Sequence, residues 1–162
     1  MRNIIKVAVI QSRPLKKLDA NLSQIQQLLI EASRQRASVV VLPENFAYYG
    51  EQNLQTIGCQ EAASDGPVRQ FLSEHAKRLK LWIVGGTVPV GDKNSKPVAR
   101  SLVYDPSGHC VDHYDKIHLF DADVHSESSQ QAYRESDLYS YGNAIKTVET
   151  DFCKLGLSVC YD

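Results

Sequence analysis

Val39-Val40-Val41-Leu42 is a continuous apolar run that Pro43 brings to a stop. It is too short and too β-branched for a helix, so it predicts a strand covered on both faces by other layers. The flanking segments fit that picture. Residues 4–10 read as a second buried strand rich in β-branched residues. From Asp19, a suitable N-cap, Leu22, Ile25, Leu28, Leu29 and Ala32 recur at helical spacing to about residue 36. Gly66-Pro67 opens another helix, with proline in the first turn, where its missing N–H costs nothing. Its apolar stripe is Val68, Phe71, Leu72, Ala76 and Leu79.

Residues 81–84 predict a further strand, closed by Gly85-Gly86. Residues 98–104 and 110–117 flank Asp105-Pro106-Ser107-Gly108, a strong turn signal, and read as an antiparallel hairpin. Residues 144–150 and 154–159 are the last two expected strands. Between these elements lie a polar, aromatic loop (45–64) and a polar connection (121–142) without periodicity, which predicts a functional or disordered loop. The order β-α-β-α-β-β-β-β-β defines one α/β domain, with helices stacked on a mixed sheet.

The chain has 162 residues, enough for one domain with a substantial core, and 43% hydrophobic with 23% charged residues is a globular composition. The net charge of −1 comes without a basic block, so no nucleic-acid partner is expected. No apolar stretch approaches the roughly 20 residues that span a bilayer. Lys6 and the segment Gln11-Ser12-Arg13-Pro14 interrupt the N-terminal run, which reads as a strand and not a signal peptide. The four cysteines contain no C-x-x-C pair, which points away from a disulfide framework or zinc site. Reduced thiols, a cytoplasmic location, no metal and no cofactor are the expectations.

Chemistry concentrates at strand ends. Cys160 follows the apolar run Leu155-Gly156-Leu157-Ser158-Val159, Glu44 follows Pro43, and Lys116 ends the second strand of the hairpin. A thiol at a strand end is exposed where the chain turns, and turn N–H groups can face a substrate oxygen. A free thiol with a pKa of about 8.5 needs a base or a positive charge beside it. Glu44 can be the base, partly shielded by neighbours such as Phe46, and Lys116 supplies the charge. Taken singly, each residue has a plainer reading. A cysteine after a strand is more often a buried small hydrophobe, the glutamate a solvated loop residue, and the lysine edge protection. Their conjunction carries the argument.

The contexts of the three residues resemble one family, the nitrilase (carbon–nitrogen hydrolase) superfamily, over essentially the whole chain. The matching segments are Val7-Ala8-Val9-Ile10-Gln11, Leu42-Pro43-Glu44-Asn45, Gly85-Gly86-Thr87, and Tyr114-Asp115-Lys116-Ile117-His118-Leu119-Phe120-Asp121. They continue with Tyr133-Arg134-Glu135-Ser136 and Gly156-Leu157-Ser158-Val159-Cys160-Tyr161-Asp162. The resemblance implies that Glu44 is the general base, Lys116 stabilises the tetrahedral intermediate and Cys160 attacks. It also implies that Glu135 is a supporting second glutamate and that the Tyr161 backbone N–H serves the oxyanion. By its sequence setting alone, Glu135 reads as a solvated loop charge.

The His-Leu-Phe-Asp and Cys-Tyr-Asp contexts look most like the branch containing omega-amidase and deaminated-glutathione amidase. That branch implies hydrolysis of a small amide bearing a carboxylate, with release of ammonia. The implied fold is a four-layer α-β-β-α sandwich that forms homodimers through outer helices. Tyr141-Gly142-Asn143 stands where the family commonly has Pro-Gly-Asp. The family continues past the nucleophile with an arginine-containing turn, a helix and the second half of the sandwich. Residues 1–162 are therefore expected to be the N-terminal part of a C-terminally truncated domain. Alone, they are expected to be inactive and poorly soluble, with a frayed Cys160 turn.

Three other readings compete. One is a Cys–His hydrolase using His118, although no cysteine-protease signature surrounds Cys160. Another is a metal site from His118, Asp121, Asp123 and His125, for which a solvated loop is the simpler account. The third is a catalytically inactive fragment or pseudo-enzyme that acts only through a partner.

Overall fold

The structure, a computed structural model, describes residues 4–50, 53–126 and 129–162. Its centre is a six-stranded sheet. Strands β1 (Val7–Val9), β2 (Val39–Val41) and β3 (Trp82–Val84) run parallel, with Val7, Val39 and Trp82 in one row. β4 (Val88–Val90), β5 (Val98–Tyr104) and β6 (Cys110–Asp115) complete it, β5 pairing antiparallel with β3, β4 and β6. Two reversals of direction make β6 run the same way as β2 and β3. Their C-terminal ends therefore lie along one edge of the sheet.

Alternation along the strands separates two faces. Val40, Ile83 and Leu102 point to the layer formed by helices α1 (Leu18–Arg34), α2 (Leu54–Ala62) and α3 (Pro67–Leu79). The α1 stripe places Ile25 and Leu29 in that core with no exposed surface. α3 begins with Pro67 as expected and ends on Lys80 in the left-handed conformation.

The opposite face carries Val103 and Tyr114, covered by Val148 of the antiparallel pair β9 (Thr147–Glu149) and β10 (Lys154–Gly156) and by Leu157 and Val159 just after β10. Trp82 anchors this layer, donating from Nε1 to Asp151 at 2.9 Å and meeting Phe152 edge-on at 6.3 Å. Farther along, the same face opens into a cavity of about 320 Å³ lined by Ile5, Val7, Val39, Val41, Val84 and Leu155, among others. Val7 is 53% exposed there, and Val9, two residues on in the same strand, is 78% exposed. The α/β class and the layering of helices on a mixed sheet are as expected.

Several segments differ from the sequence reading. β1 leaves one face exposed where a buried strand was expected, and α1 starts at Leu18, so Asp19 lies inside its first turn and is not its N-cap. α2 occupies part of the expected 45–64 loop, and β4 follows Gly85-Gly86 directly. The 121–142 connection forms an antiparallel hairpin, β7 (Asp121–Ser126) with β8 (Ser129–Arg134), and then a 3-10 turn, Glu135–Asp137. Backbone pairing builds that hairpin. Polar contacts support it, Arg134 donating to Asp123 at 2.6 Å and Ser136 Oγ to Asp121 at 2.7 Å.

Candidate active site

Glu44 leaves the end of β2 through a tightly packed crossing. Gly86, with φ +49°, lies against Pro43, where a Cβ would stand 2.1 Å from the Pro43 carbonyl oxygen. Only glycine fits that approach in that conformation. Next to it, the buried Thr87 hydroxyl accepts from Asn45 N–H at 2.9 Å, and Asn45 itself is left-handed. The Gly85-Gly86-Thr87 segment thus clamps the residues on both sides of Glu44.

Lys116 is fixed at its root before its head is engaged. Its N–H donates to Ala99 O at 3.0 Å and its carbonyl accepts from Gly142 N at 2.8 Å. Gly142 passes so close that a Cβ would lie 2.0 Å from Asp115 O, which explains a glycine in Tyr141-Gly142-Asn143. Arg100 grips Asp115 through two parallel bonds of 2.6 and 2.9 Å. The lysine side chain is 1% exposed, and Nζ donates to Glu44 at 2.8 Å and to both Glu135 oxygens at 3.0 and 2.8 Å.

Glu135 is a buried residue, 5% exposed. The 3-10 turn brings it back against the segment after Lys116, where Phe120 N donates to its Oε2 at 2.7 Å. Burial alone lowers a lysine pKa, but the bonds from Glu135 and then Glu44 outweigh it here and raise Lys116 above its ordinary value. The ammonium stays charged.

Cys160 occupies the end of the β10 segment with φ +51°. A left-handed non-glycine residue carries roughly 1–3 kcal/mol of strain and persists where its surroundings impose it. Burial, and next the Glu44 charge, push the Cys160 thiol up. Lys116 opposes this, and a hydrogen bond to Glu44 reinforces it. These influences favour the thiol over the thiolate in the resting site. Residues 159–162 close a turn, with Asp162 N donating to Val159 O at 3.1 Å. The Tyr161 N–H in its middle plays no part in that bond.

The structure thus brings Glu44, Lys116 and Cys160 together near the strand ends where the sequence placed them, and adds the buried Glu135, which the sequence setting alone made a solvated loop charge. It also ties the Cys160 turn down where fraying was expected, because Asp162 hydrogen-bonds Val159, Tyr114 and His118. The sequence did not single out Asp162 and Tyr114. Both sit inside the family-like segments, but no local pattern shows that they meet.

His118 serves elsewhere, its Nδ1 lying 3.1 Å from Asp162 Oδ1. Among the described residues no group of three or more His, Cys, Asp or Glu could hold a metal ion. Asp121 and Asp123 are engaged by Ser136 and Arg134, and the His125 side chain lies outside the described ones.

The helix-backed mixed sheet, with carboxylates and a lysine gathered at one edge, is shared by a known class of proteins. The carbon-nitrogen hydrolase family matches residues 6–162, and the chain belongs to that family. It is 38% identical over 160 residues to omega-amidase NIT2 of Danio rerio, covering 97% of this chain and 54% of that protein. It is 32% identical over 158 residues to deaminated glutathione amidase of Yersinia enterocolitica, covering 96% and 54%. The fold superposes on Saccharomyces cerevisiae Nit3, described as a member of branch 10 of the nitrilase superfamily. The TM-score is 0.78 and the identity 28%, covering 97% of this chain and 55% of that one. The chain spans about half the length of these relatives.

Proposed function

We propose that these residues carry the nucleophilic half of a thiol amidase that hydrolyses a small carboxylate-bearing amide and releases ammonia. The observation that carries this reading is the Lys116 ammonium held between Glu44 and Glu135, with the Cys160 thiol close enough to feel the charges of all three. Residues 1–162 are the N-terminal part of that catalytic domain. The two relatives named as amidases support amide hydrolysis, and the branch they represent supports the substrate class.

Glu44 takes the Cys160 proton as Sγ attacks the amide carbonyl, forming the C–S bond. The negative charge that develops on oxygen is met by Lys116 and by the Tyr161 N–H. Glu44 passes its proton to the leaving nitrogen, the C–N bond breaks, and ammonia departs from a thioester. Glu44 then takes a proton from water, hydroxide adds to the thioester, and the carboxylic acid leaves as the thiol is restored. Glu135 keeps Lys116 charged and oriented throughout. No cofactor or metal takes part. The enzyme works in the cytoplasm as a homo-oligomer assembled through its outer helices. Free thiols at Cys59, Cys110, Cys153 and Cys160 fit a reducing setting.

The test is the full-length protein with a short dicarboxylate monoamide such as succinamate. Cys160→Ala abolishes both ammonia release and the acyl-enzyme seen by mass spectrometry. Full turnover in that variant would refute the reading. A wild-type protein that neither releases ammonia nor forms an acyl-enzyme would favour the inactive, partner-dependent alternative.

A further inference from the structure

We infer that Asp162 is a positioning residue for Cys160, joining the nucleophile turn to the strand end that delivers Lys116. The inference rests on Cys160 being the nucleophile. The Asp162 side chain is 6% exposed and its two oxygens serve different segments. Oδ2 accepts from Val159 N at 2.9 Å, one residue before the nucleophile, and from Tyr114 Oη at 2.7 Å, two residues before Lys116. Oδ1 accepts from His118 N at 2.8 Å, two residues after Lys116, and lies 3.1 Å from His118 Nδ1. One carboxylate therefore brackets Lys116 from both sides of its sequence and Cys160 from the other.

The chemistry of this latch calls for a carboxylate. The backbone and phenol partners are donors, and an ionised carboxylate is acceptor-only at both oxygens. An amide of the same shape turns an NH₂ group toward one of those donors. Tyr114 Oη also accepts from Ile117 N at 3.3 Å, so the latch stiffens the backbone next to Lys116. Cys160 is left-handed, a conformation that needs external support, and Asp162 supplies it from within the same turn. Loss of the latch frees Cys160 to leave Glu44, Lys116 and Glu135, the charged groups that bear on its thiol.

The experiment compares wild type, Asp162→Asn and Tyr114→Phe in the full-length protein. Two readouts are taken: the pH profile of Cys160 alkylation by iodoacetamide, and kcat and KM for ammonia release from succinamate. In folded Asp162→Asn the alkylation midpoint moves down toward that of an ordinary thiol as Cys160 leaves Glu44. Its kcat falls by about 10²-fold at nearly unchanged KM, the size of loss that small misplacements produce. Tyr114→Phe moves both readouts the same way, with a kcat loss of about tenfold for one hydrogen bond to a charged group. A merely structural aspartate would lower the unfolding temperature without moving the alkylation profile.

Folded Asp162→Asn with a wild-type profile and kcat overturns the inference. If Asp162→Asn does not fold, Tyr114→Phe decides, and a wild-type profile in that variant overturns it. If the wild type releases no ammonia from succinamate, the amidase reading fails separately and the alkylation profile still judges Asp162.

Discussion

Lys116 Nζ lies 3.0 and 2.8 Å from the two carboxylate oxygens of Glu135, so a single buried carboxylate holds the ammonium through both of its oxygens. Glu44 takes a third position at 2.8 Å and remains partly accessible, its side chain 25% exposed. The geometry divides the two acids by access. Glu135 is committed to the lysine, and Glu44 is open to a thiol, a substrate or water.

Glu135→Gln tests the first half of that division. The amide keeps the shape but leaves the buried ammonium short of a compensating charge. A stability loss of about 1–3 kcal/mol is expected from the weakened charged hydrogen bonds, read by denaturant unfolding. Turnover should fall by more than that destabilisation accounts for, because Lys116 loses its orientation. Wild-type kcat in this variant would make Glu135 a purely structural residue.

Glu44→Gln tests the second half, with a loss of roughly 10² to 10⁴ in rate for a missing general base. The charge on Glu44 helps to raise the Cys160 thiol, whereas Lys116 lowers it. Removing that negative charge stabilises the thiolate relative to the thiol. The pH midpoint of Cys160 alkylation should therefore move down, not up. An upward move, or a rate loss under tenfold at unchanged thermal stability, would assign the base elsewhere, with His118 the first candidate.

Gly86→Ala should be far more damaging than Gly50→Ala, although both glycines have positive φ. A Cβ at Gly50 meets nothing within 4 Å, so only backbone strain of roughly 1–2 kcal/mol applies. At Gly86 the Cβ would sit 2.1 Å from Pro43 O, adding an overpacking cost of about 1–3 kcal/mol and displacing the root of Glu44. Thermal unfolding of the two variants checks the order, and equal losses would contradict the packing argument.

Residues 1–162 expressed alone should self-associate and lack turnover. Val7 is 53% exposed and lines an open apolar cavity, and Val9 on the same strand is 78% exposed; bare apolar surface of this kind favours association. Light scattering and dye binding to apolar surface report the association. A monodisperse monomer with turnover equal to that of the full-length protein would contradict this.

The strands and helices with strong apolar periodicity were readable from sequence, and so were the strand-end positions of Glu44, Lys116 and Cys160. α2 escaped because its buried side includes Glu61 and Gly58 beside Ile57, which breaks the apolar stripe. Glu61 is tolerated there because it accepts from Tyr48 Oη and Val68 N, a tertiary arrangement without a local signature. β4 is Val-Pro-Val, and proline argues against a strand except at a sheet edge, where β4 lies. In the β7–β8 hairpin only Ala122 and Val124 alternate with polar residues, and the return strand Ser-Gln-Gln-Ala-Tyr-Arg has no apolar face, too weak a signal for a strand pair. Glu135 looked like a solvated charge because its burial depends on a lysine nineteen positions earlier. Asp162 was hidden for the same reason, its partners Tyr114 and His118 lying over forty positions away.

The burial of Lys116 also bears on how such a site can be lost over time. A surface lysine can drift to almost any residue once its chemistry is no longer selected. This one fills core space at 1% exposure and neutralises carboxylates that face each other across it. Deleting the cation alone strands like charges in a poorly solvated place, a fault that costs folding before it costs catalysis. A lineage abandoning the reaction can discard the exposed Cys160 cheaply, yet must replace Lys116, Glu44 and Glu135 in concert. The lysine and its acids should therefore outlast the nucleophile in inactive descendants, as an ionic remnant kept by the core.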